Sequence, residues 1–287
     1  MVKNLVLENI SVGFKLPQGV FYAVDDVSLN LPGGNFTAII GESGCGKSVL
    51  GQAILNILPS GIVKKGRVLY NGEQVKKILS AFGIIPQNPS ESLNPVRKIG
   101  KQMQDILDVH KIADSDNSYK KQCLHLFGLQ EAECVLAAYP HELSGGMLQR
   151  VLCAMAVSSK PEWILADEPT KGLDEQVGAV VRKNLLTIKQ DLHLSMLIIT
   201  HDIALAQEVC DDVLVMYAGQ VLEHNADIWH KPLHPYTQGF LQALPKNGLL
   251  VIPGKAPVPG ESFTGCKFAA RCPYSTKRCK EEKPAMQ

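Results

Sequence analysis

The feature that most constrains the fold of this chain is a short glycine-rich segment. It reads Gly41, Glu42, Ser43, Gly44, Cys45, Gly46, Lys47 and Ser48. An apolar run at 36–40 precedes it and predicts a buried strand, while apolar residues at helical spacing follow at 49–55. A loop between a strand and a helix is the context that a phosphate-binding loop requires. We call the segment 41–48 the phosphate loop.

The residue types in this loop suit a bound phosphate. Glycines have no Cβ, so they adopt positive φ values and let backbone N–H groups turn toward an anion. The N-terminus of the following helix adds partial positive charge. We expect the Lys47 ammonium to contact the β- and γ-phosphates of a nucleotide, and the Ser48 hydroxyl to coordinate Mg²⁺.

Length, charge and hydrophobic content limit the classes of protein to which this chain can belong. The 287 residues allow one large core plus a small appendage. The formal net charge of +1 gives no support to a nucleic-acid-binding surface. No apolar run approaches the roughly 18 residues that span a bilayer, and residues 1–4 lack the layout of a signal peptide. We expect a soluble, cytoplasmic protein that reaches a membrane through partners.

Hydrophobic patterning predicts an α/β fold. The strand-like segments are 5–12, 24–31, 36–40, 67–70, 82–85, 163–166, 195–200, 213–216 and 220–223. The first two predict an antiparallel start, and the later strands alternate with helical patterns that favour a parallel sheet. Residues 96–139 are polar and helical without a strand signal, which indicates an inserted helical subdomain.

Three further groups are candidate site residues. Ser144, Gly145 and Gly146 open a helix, where Ser144 suits the N-cap, although such a cap is common. Asp167 and Glu168 end a buried strand, the edge at which α/β sheets bind ligands, whereas most acid pairs are ordinary surface residues. His201 ends another strand, and a lone histidine there is more often structural than catalytic.

The order of these motifs resembles one family. The phosphate loop, Gln87, 143–146, Asp167–Glu168, Asp174 and His201 follow one another as in the nucleotide-binding domain of an ABC transporter. The resemblance covers residues 1 to about 245. It implies a P-loop ATPase core with a mainly parallel sheet, an antiparallel β subdomain and an inserted α-helical subdomain. The implied domains are 1–250, with helices inserted at about 88–160, and a C-terminal tail at 251–287.

The resemblance also implies roles. The phosphate loop and Lys47 would hold the phosphates of ATP, and Ser48, Gln87 and Asp167 would serve Mg²⁺ directly or through water. Glu168 would polarise the attacking water, and His201 would contact the γ-phosphate. Ser144, Gly145 and Gly146 would act on the nucleotide of the opposite subunit. The aromatic that stacks on adenine stays open between Phe14 and Tyr22, either of which is equally well an ordinary surface residue.

The C-terminal part resembles a narrower group. Residues 230–241 and 265–273 are similar to the tail of ATPases from oligopeptide, dipeptide and nickel importers. That similarity implies a second, non-identical ATP-binding subunit, two membrane permeases and an extracytoplasmic substrate-binding protein. The chain would lie peripherally on the cytoplasmic face of the membrane and power import of peptides, nickel or metal chelates. The short linker 58–62 leans toward the nickel branch.

Two alternative functions are less compatible with the residues. A soluble ABC ATPase that acts on DNA or ribosomes typically has a long coiled coil or two cassettes in one chain. This sequence has neither of those features. A degenerate, binding-only cassette is disfavoured because Glu168 and His201 are both present.

Of the eight cysteines, Cys266, Cys272 and Cys279 cluster near the C-terminus. Thiols this close in a reducing compartment favour soft-metal ligation over disulfides. Importer ATPases with a similar pattern hold a four-iron cluster that uses a fourth cysteine further along. No cysteine follows Cys279, so we expect no complete four-cysteine site in this sequence. Iron–sulfur or zinc ligation by the three thiols remains an alternative to a free-thiol tail.

Overall fold

The structure is a computed structural model that describes residues 3–17, 19–75, 81–244, 247–258, 261 and 263–284. The chain divides into two compact units. We call them the helical unit (Met1–Lys3, Gly33–Phe36 and Leu79–Val209) and the phosphate-loop unit (Asn4–Pro32, Thr37–Ile78 and Cys210–Gln287).

The elements follow one another along the chain. The strands are β1 (Leu5–Leu16), β2 (Gly19–Leu31), β3 (Phe36–Ile40), β4 (Val63–Tyr70), β5 (Glu73–Gln74), β6 (Phe82–Ile85), β7 (Trp163–Asp167), β8 (Ser195–Ile199), β9 (Asp212–Tyr217) and β10 (Gln220–Asn225). The helices are α1 (Lys47–Leu55), α2 (Pro89–Ser92), α3 (Ile99–Val109), α4 (Ser118–Leu126), α5 (Ala132–Ala137), α6 (Gly145–Ser158), α7 (Glu175–Thr187), α8 (Ile203–Val209), α9 (Pro235–Gln242) and α10 (Lys277–Glu281). A 3₁₀ turn at Pro140–Glu142 precedes α6, and a π-helical turn at Ile188–Leu192 follows α7.

The phosphate-loop unit contains an antiparallel sheet and a small parallel pair. Strands β2, β1, β4 and β5 lie side by side in that order, with every neighbouring pair antiparallel. Strand β3 pairs in parallel with β9, and β9 pairs with β10 in antiparallel fashion. Every residue of β3 and of β9 is buried, as expected of strands covered on both faces. Helix α1 contacts β1 and β2.

The helical unit contains a parallel sheet with helices between its strands. Strand β7 lies between β6 and β8, in register through Ile85 with Ala166 and Ala166 with Ile198. Trp163 stacks on Phe82 with ring centroids 5.8 Å apart, and its indole N–H donates to the Lys3 carbonyl at 2.9 Å. The parallel register brings the carboxyl ends of all three strands to one edge.

The inserted helices α2–α5 lie between β6 and α6 in sequence. Helix α6 contacts α2, α3, α4 and α7 and forms the centre of this packing. Its buried residues include Leu148, Val151 and Leu152, which form an apolar face at helical spacing. The α/β class, the antiparallel start and the helical insertion are therefore confirmed, while the domain boundaries 1–250, 88–160 and 251–287 stay a prediction.

Several predicted elements have different lengths in the structure. Strands β1 and β2 continue toward each other as a hairpin, pairing as far as Leu16 with Gly19, beyond the predicted ends. Helix α7 ends at Thr187, and the chain continues directly into the π turn at Ile188–Leu192. Among the described residues, each helix falls short of the length and apolarity that crossing a bilayer demands.

Candidate nucleotide-binding site

The phosphate loop joins β3 to α1 through a backbone path that favours glycine. Gly41, Gly44 and Gly46 have φ values of 149°, 78° and 105°, a region that residues with a Cβ rarely adopt. A Cβ on Gly41 would lie 2.1 Å from the Met216 carbonyl oxygen, and one on Gly46 would lie 2.2 Å from that of Ala23. Glycine at these two positions lets the loop pack directly against neighbouring backbone.

Lys47 is the first residue of α1, and the residue is 7% exposed. The ammonium donates to the carbonyl oxygens of Gly41 at 2.9 Å and Glu42 at 3.1 Å, and it lies 3.8 Å from Cys45 Sγ. These partners carry no full negative charge. A phosphate oxygen is a stronger acceptor for an ammonium, so the side chain is placed to exchange these bonds for one to a nucleotide.

The N-terminus of α1 adds a second attraction for an anion. Gly46 is the N-cap residue and supplies no side-chain cap to the first turn. Backbone N–H groups at a helix start, together with the helix dipole, favour negative charge. Ser48 lies in this first turn and is half-buried.

One backbone and one side-chain contact from the C-terminal part hold the loop in place. The Gly219 N–H donates to the Cys45 carbonyl at 2.9 Å, and the Glu42 N–H donates to the Tyr236 hydroxyl at 3.1 Å. Cys45 itself is buried, and that burial raises the pKa of its thiol above the ordinary value. We therefore interpret Cys45 as a packing residue of the loop rather than a nucleophile.

The candidate adenine-stacking residues lie on the β1–β2 hairpin. Phe14 is half-buried and faces Phe21 across the two strands, while Tyr22 faces Gly13. The Lys65 ammonium lies 5.1 Å from the centroid of the Tyr22 ring, a cation–π contact. The choice between Phe14 and Tyr22 stays open.

The carboxyl edge of the helical unit gathers another set of predicted residues. Asp167 is the last residue of β7, Gln87 comes two residues after β6, and His201 comes two residues after β8. Because these strands are parallel neighbours, the three positions share one edge. Gln87 and His201 are exposed, and Asp167 is partly buried.

The structure brings Glu168 and His201 into contact. Glu168 Oε2 lies 2.5 Å from His201 Nδ1, and the His201 backbone N–H donates to the same oxygen at 3.4 Å. Glu168 has a φ of 49°, unusual for a residue with a Cβ, and its N–H donates to the Ile199 carbonyl at 2.7 Å. The carboxylate is 13% exposed and the imidazole 57% exposed, so the pair faces solvent from its histidine side.

Ser144 caps α6, as the sequence predicts. Its hydroxyl accepts the Met147 backbone N–H at 3.3 Å. Ser144 and Gly145 are exposed, and a Cβ built on Gly145 or Gly146 meets no atom within 4 Å. Within the helical unit, the start of α6 is thus exposed, and another molecule can approach it closely.

The three tail cysteines lie in a compact turn. The Cys266 N–H donates to the Cys279 carbonyl at 2.8 Å, and all three cysteines are free and half-buried. Burial, followed by the neighbouring Cys272 and Cys279, raises the pKa of Cys266, whereas a hydrogen bond with Thr276 lowers that of Cys279. Within the described ranges no group of three histidine, cysteine or acidic side chains is arranged to hold a metal ion.

Comparisons with known proteins decide the family. Residues 24–171 match the model of the ABC transporter family, and residues 222–279 match that of the oligopeptide/dipeptide transporter C-terminal region. The chain is 35% identical to the oligopeptide transport ATP-binding protein OppD of Haemophilus influenzae, across 96% of this chain and 91% of that protein. It is 36% identical to the dipeptide transport ATP-binding protein DppD of Escherichia coli, across 98% and 92% respectively.

The chain belongs to the ABC transporter family. It is an ATP-binding subunit whose ATPase activity powers transport. A dimeric ATP-binding cassette solved with ADP and Pi has the same fold, with a TM-score of 0.65 at 24% identity, and covers 77% of this chain and 97% of its own. The protein cbiO1 of Clostridium perfringens, part of an ABC transporter complex, gives 0.64 at 26% identity, covering 77% and 88%.

Several residues around the site of this ABC ATPase are not identified by the sequence patterns. Tyr236 and Arg271 contact Glu42 of the phosphate loop, and Asp202 accepts a hydrogen bond from the Thr170 hydroxyl at 3.1 Å beside Glu168 and His201. Tyr236 and Arg271 fall in segments that resemble the importer group, which was the available signal. Nothing local in either segment indicates contact with a loop some two hundred residues earlier.

Proposed function

We propose that this ABC ATPase powers the import of peptides. The observation that carries the proposal is the match of residues 222–279 to the oligopeptide/dipeptide transporter C-terminal region, added to a match to the cassette itself. The relatives reported above are named for oligopeptide and dipeptide transport and align along nearly their full length. Both support peptide cargo over the nickel or metal-chelate cargo that the sequence also allows.

The proposed assembly has four kinds of component. This chain pairs with a second, non-identical ATP-binding subunit on the cytoplasmic face of the membrane. The pair works beneath two permeases that receive cargo from an extracytoplasmic substrate-binding protein. The short linker 58–62 leans toward nickel, whereas the match of the C-terminal region supports peptide cargo, and the proposal follows that longer match.

The phosphate loop is the proposed binding site for the ATP phosphates. Lys47 contributes its ammonium. Residues 41–48, which lead into the first turn of α1, contribute backbone N–H groups. Phosphoryl transfer to water depends chiefly on positioning and charge neutralisation, which these groups supply. Phe14 or Tyr22 on the β1–β2 hairpin is the proposed adenine contact.

The proposed Mg²⁺ ligands are Ser48, Gln87 and Asp167, directly or through water. A hydroxyl, an amide oxygen and a carboxylate are the hard oxygen donors that Mg²⁺ prefers, so the residue types fit the ion. Asp167 and Gln87 share one edge of the parallel sheet, which supports their acting on the same ion. Bound Mg²⁺ supplies charge neutralisation at the phosphates.

Glu168 is the proposed residue that positions and polarises the attacking water. Its contact with His201 fixes the carboxylate direction, and its strained backbone is held by the bond to Ile199. Strain of this kind concentrates at functional sites. His201 is more exposed and is the proposed γ-phosphate contact. Ser144, Gly145 and Gly146 are proposed to contact the nucleotide held by the partner ATP-binding subunit.

The test measures which cargo stimulates hydrolysis. The complete complex is reconstituted in nanodiscs, and phosphate release is followed with the binding protein either empty, loaded with di- and oligopeptides, or mixed with Ni²⁺. Peptide-loaded binding protein is expected to raise the rate strongly, and Ni²⁺ to leave it at the empty level. Stimulation by Ni²⁺ alone would assign the chain to metal import, and equal rates in all three samples would argue against coupling to an importer.

A further inference from the structure

Glu42, the second residue of the phosphate loop, is fixed through its whole backbone. Its carbonyl oxygen accepts the Lys47 ammonium at 3.1 Å and the Cys45 N–H at 3.3 Å. Its own N–H donates to the Tyr236 hydroxyl at 3.1 Å. The orientation of the Glu42 peptide therefore bears directly on where the Lys47 ammonium lies.

The Glu42 side chain is held by a residue from the C-terminal region. Arg271 Nη1 lies 3.1 Å from Oε1 and 3.2 Å from Oε2 of Glu42. The same guanidinium donates to the Tyr217 hydroxyl at 3.2 Å and to the carbonyl oxygens of Pro253 at 3.1 Å and Ile252 at 3.4 Å. The Arg271 side chain is 8% exposed and the Glu42 side chain 29%, so the ion pair is buried on its arginine side and partly open to solvent on its glutamate side.

An aromatic cradle of Tyr217, Tyr236 and Phe268 surrounds the arginine side of the pair. The guanidinium carbon lies 5.6 Å from the Tyr217 ring centroid and 5.9 Å from that of Phe268. Tyr236 packs on Tyr217 at 4.6 Å and on Phe268 at 5.4 Å. Buried apolar surroundings strengthen an ion pair that is complete, and they make an unpaired charge costly.

A second contact runs from the same segment to the loop. The Lys267 ammonium donates to the Ala218 carbonyl at 2.9 Å and pairs with Asp25 at 2.9 Å. The next residue, Gly219, donates its N–H to the Cys45 carbonyl. Residues 267–271 are therefore linked to the phosphate loop in two ways. Arg271 pairs directly with Glu42, whereas Lys267 binds the residue before Gly219. Of the two, the Arg271 contact places a positive charge against the loop.

We propose that Arg271 is a positioning residue for ATP binding, which neutralises the Glu42 carboxylate and holds the phosphate loop in its binding conformation. The inference rests on the proposed role of that loop in binding the ATP phosphates. Without Arg271, a carboxylate that has lost its partner lies within the loop that receives a triphosphate. Its repulsion, and the loosened Glu42 peptide beside Lys47, both weaken nucleotide binding.

The experiment is a double-mutant cycle on the full-length chain. Isothermal titration calorimetry measures the affinity for Mg²⁺–ATP of the unmodified chain, Arg271→Ala, Glu42→Gln and the double variant. Arg271→Ala is expected to weaken binding by about tenfold, the scale of one charge-assisted hydrogen bond. The double variant is expected to bind more tightly than Arg271→Ala alone, because Glu42→Gln removes the unpaired charge.

Two further variants separate positioning from general stability. Arg271→Lys keeps the charge but lacks the planar fork, so its affinity is expected to lie between those of the unmodified chain and Arg271→Ala. Arg278→Ala removes an exposed tail arginine that pairs with Glu282, and it is expected to leave ATP affinity unchanged. Unfolding midpoints measured without nucleotide identify any variant that fails to fold. If Arg271→Ala is such a variant, the ATP affinities of Glu42→Gln and Arg271→Lys are compared with that of the unmodified chain.

The outcomes are distinguishable. If the unmodified chain binds no ATP, the proposed role of the phosphate loop fails, whatever the variants do. If the unmodified chain binds ATP and Arg271→Ala binds it equally well, the positioning role is wrong. Weakened binding that Glu42→Gln does not relieve would also overturn the proposal, because the two residues would then act independently.

Discussion

Gly41 and Gly44 both adopt positive φ values, yet their surroundings differ. A Cβ on Gly41 would collide with the Met216 carbonyl at 2.1 Å, whereas one on Gly44 meets nothing within 4 Å. The first glycine is needed because backbone passes close by. The second is needed for conformation alone.

Alanine at these two positions is therefore expected to have unequal effects. Gly44→Ala should lower the free energy of unfolding by about 1 kcal/mol, the cost of a side chain in this backbone region. Gly41→Ala should cost roughly 3 kcal/mol or more, because the loop must move away from β9. Chemical denaturation of the two variants measures the difference. Equal losses would show that the close approach at Gly41 does not constrain the loop.

Glu168 is the residue on which hydrolysis is expected to depend. Glu168→Gln keeps the shape of the side chain but removes the charge that polarises water. We expect the assembled complex to bind ATP as before and its turnover to fall roughly 100-fold or more. Phosphate release and ATP binding are measured on the same preparation. Near-normal turnover would remove Glu168 from the proposed mechanism.

The sequence marks single residues as candidates where a local pattern contains them. The glycines, Lys47 and Ser48 stand in one contiguous motif, and Asp167 and Glu168 end a recognisable strand. The contact of Arg271 with Glu42 joins residues 229 positions apart, and that of Tyr236 with Glu42 spans 194. Such pairs depend on the tertiary fold, for which the local sequence carries no signal.

Among the secondary-structure elements, the sequence predicts the presence of a strand better than the residues at which it ends. Strands β3 and β6 have the predicted limits because apolar runs define them. The β1–β2 hairpin extends past its predicted ends because pairing between the two strands, and not hydrophobicity, sustains it through exposed residues such as Lys15 and Leu16. Hydrogen bonding to a partner strand is invisible in a single segment.

The segment Gln87–Pro95 connects a proposed Mg²⁺ ligand to the start of the helical insertion. Its short helix α2 contacts α6, and Leu93 is buried at 3% exposure, while Asn88 and Ser92 are exposed. The Ser92 hydroxyl donates to the Asn88 carbonyl at 2.6 Å, which keeps the segment compact. An exposed surface anchored in this way is suited to transmit nucleotide state to a neighbour.

We expect this segment to contact a cytoplasmic helix of a permease. A photoreactive amino acid at Ser92 should cross-link to a permease in the assembled transporter. The same probe at Ser115, exposed in the loop before α4, serves as the matched control and should give less product. Mass spectrometry identifies the linked peptides. Absence of permease peptides at Ser92, or equal yields at both positions, would count against the contact.

The exposed start of α6 is the surface on which the proposed partner subunit would bring its nucleotide. Ser144 and Gly146 are proposed to serve a nucleotide held by the partner subunit. The isolated chain is therefore expected to hydrolyse ATP slowly and to accelerate when the second ATP-binding subunit and the permeases are added. Ser144→Asp keeps a capping oxygen for α6 but places a carboxylate toward the triphosphate, so it should abolish that acceleration. A purified monomer as fast as the complex would contradict this.

We expect ATP hydrolysis by this chain to drive peptide import. Uptake of a labelled peptide and phosphate release are measured together in proteoliposomes that contain the full complex. With the unmodified chain, uptake is expected to require ATP and peptide-loaded binding protein, and the two rates should rise together. With Glu168→Gln, both should stop while ATP still binds. ATP-dependent hydrolysis without peptide uptake, or uptake that survives Glu168→Gln, would contradict the account.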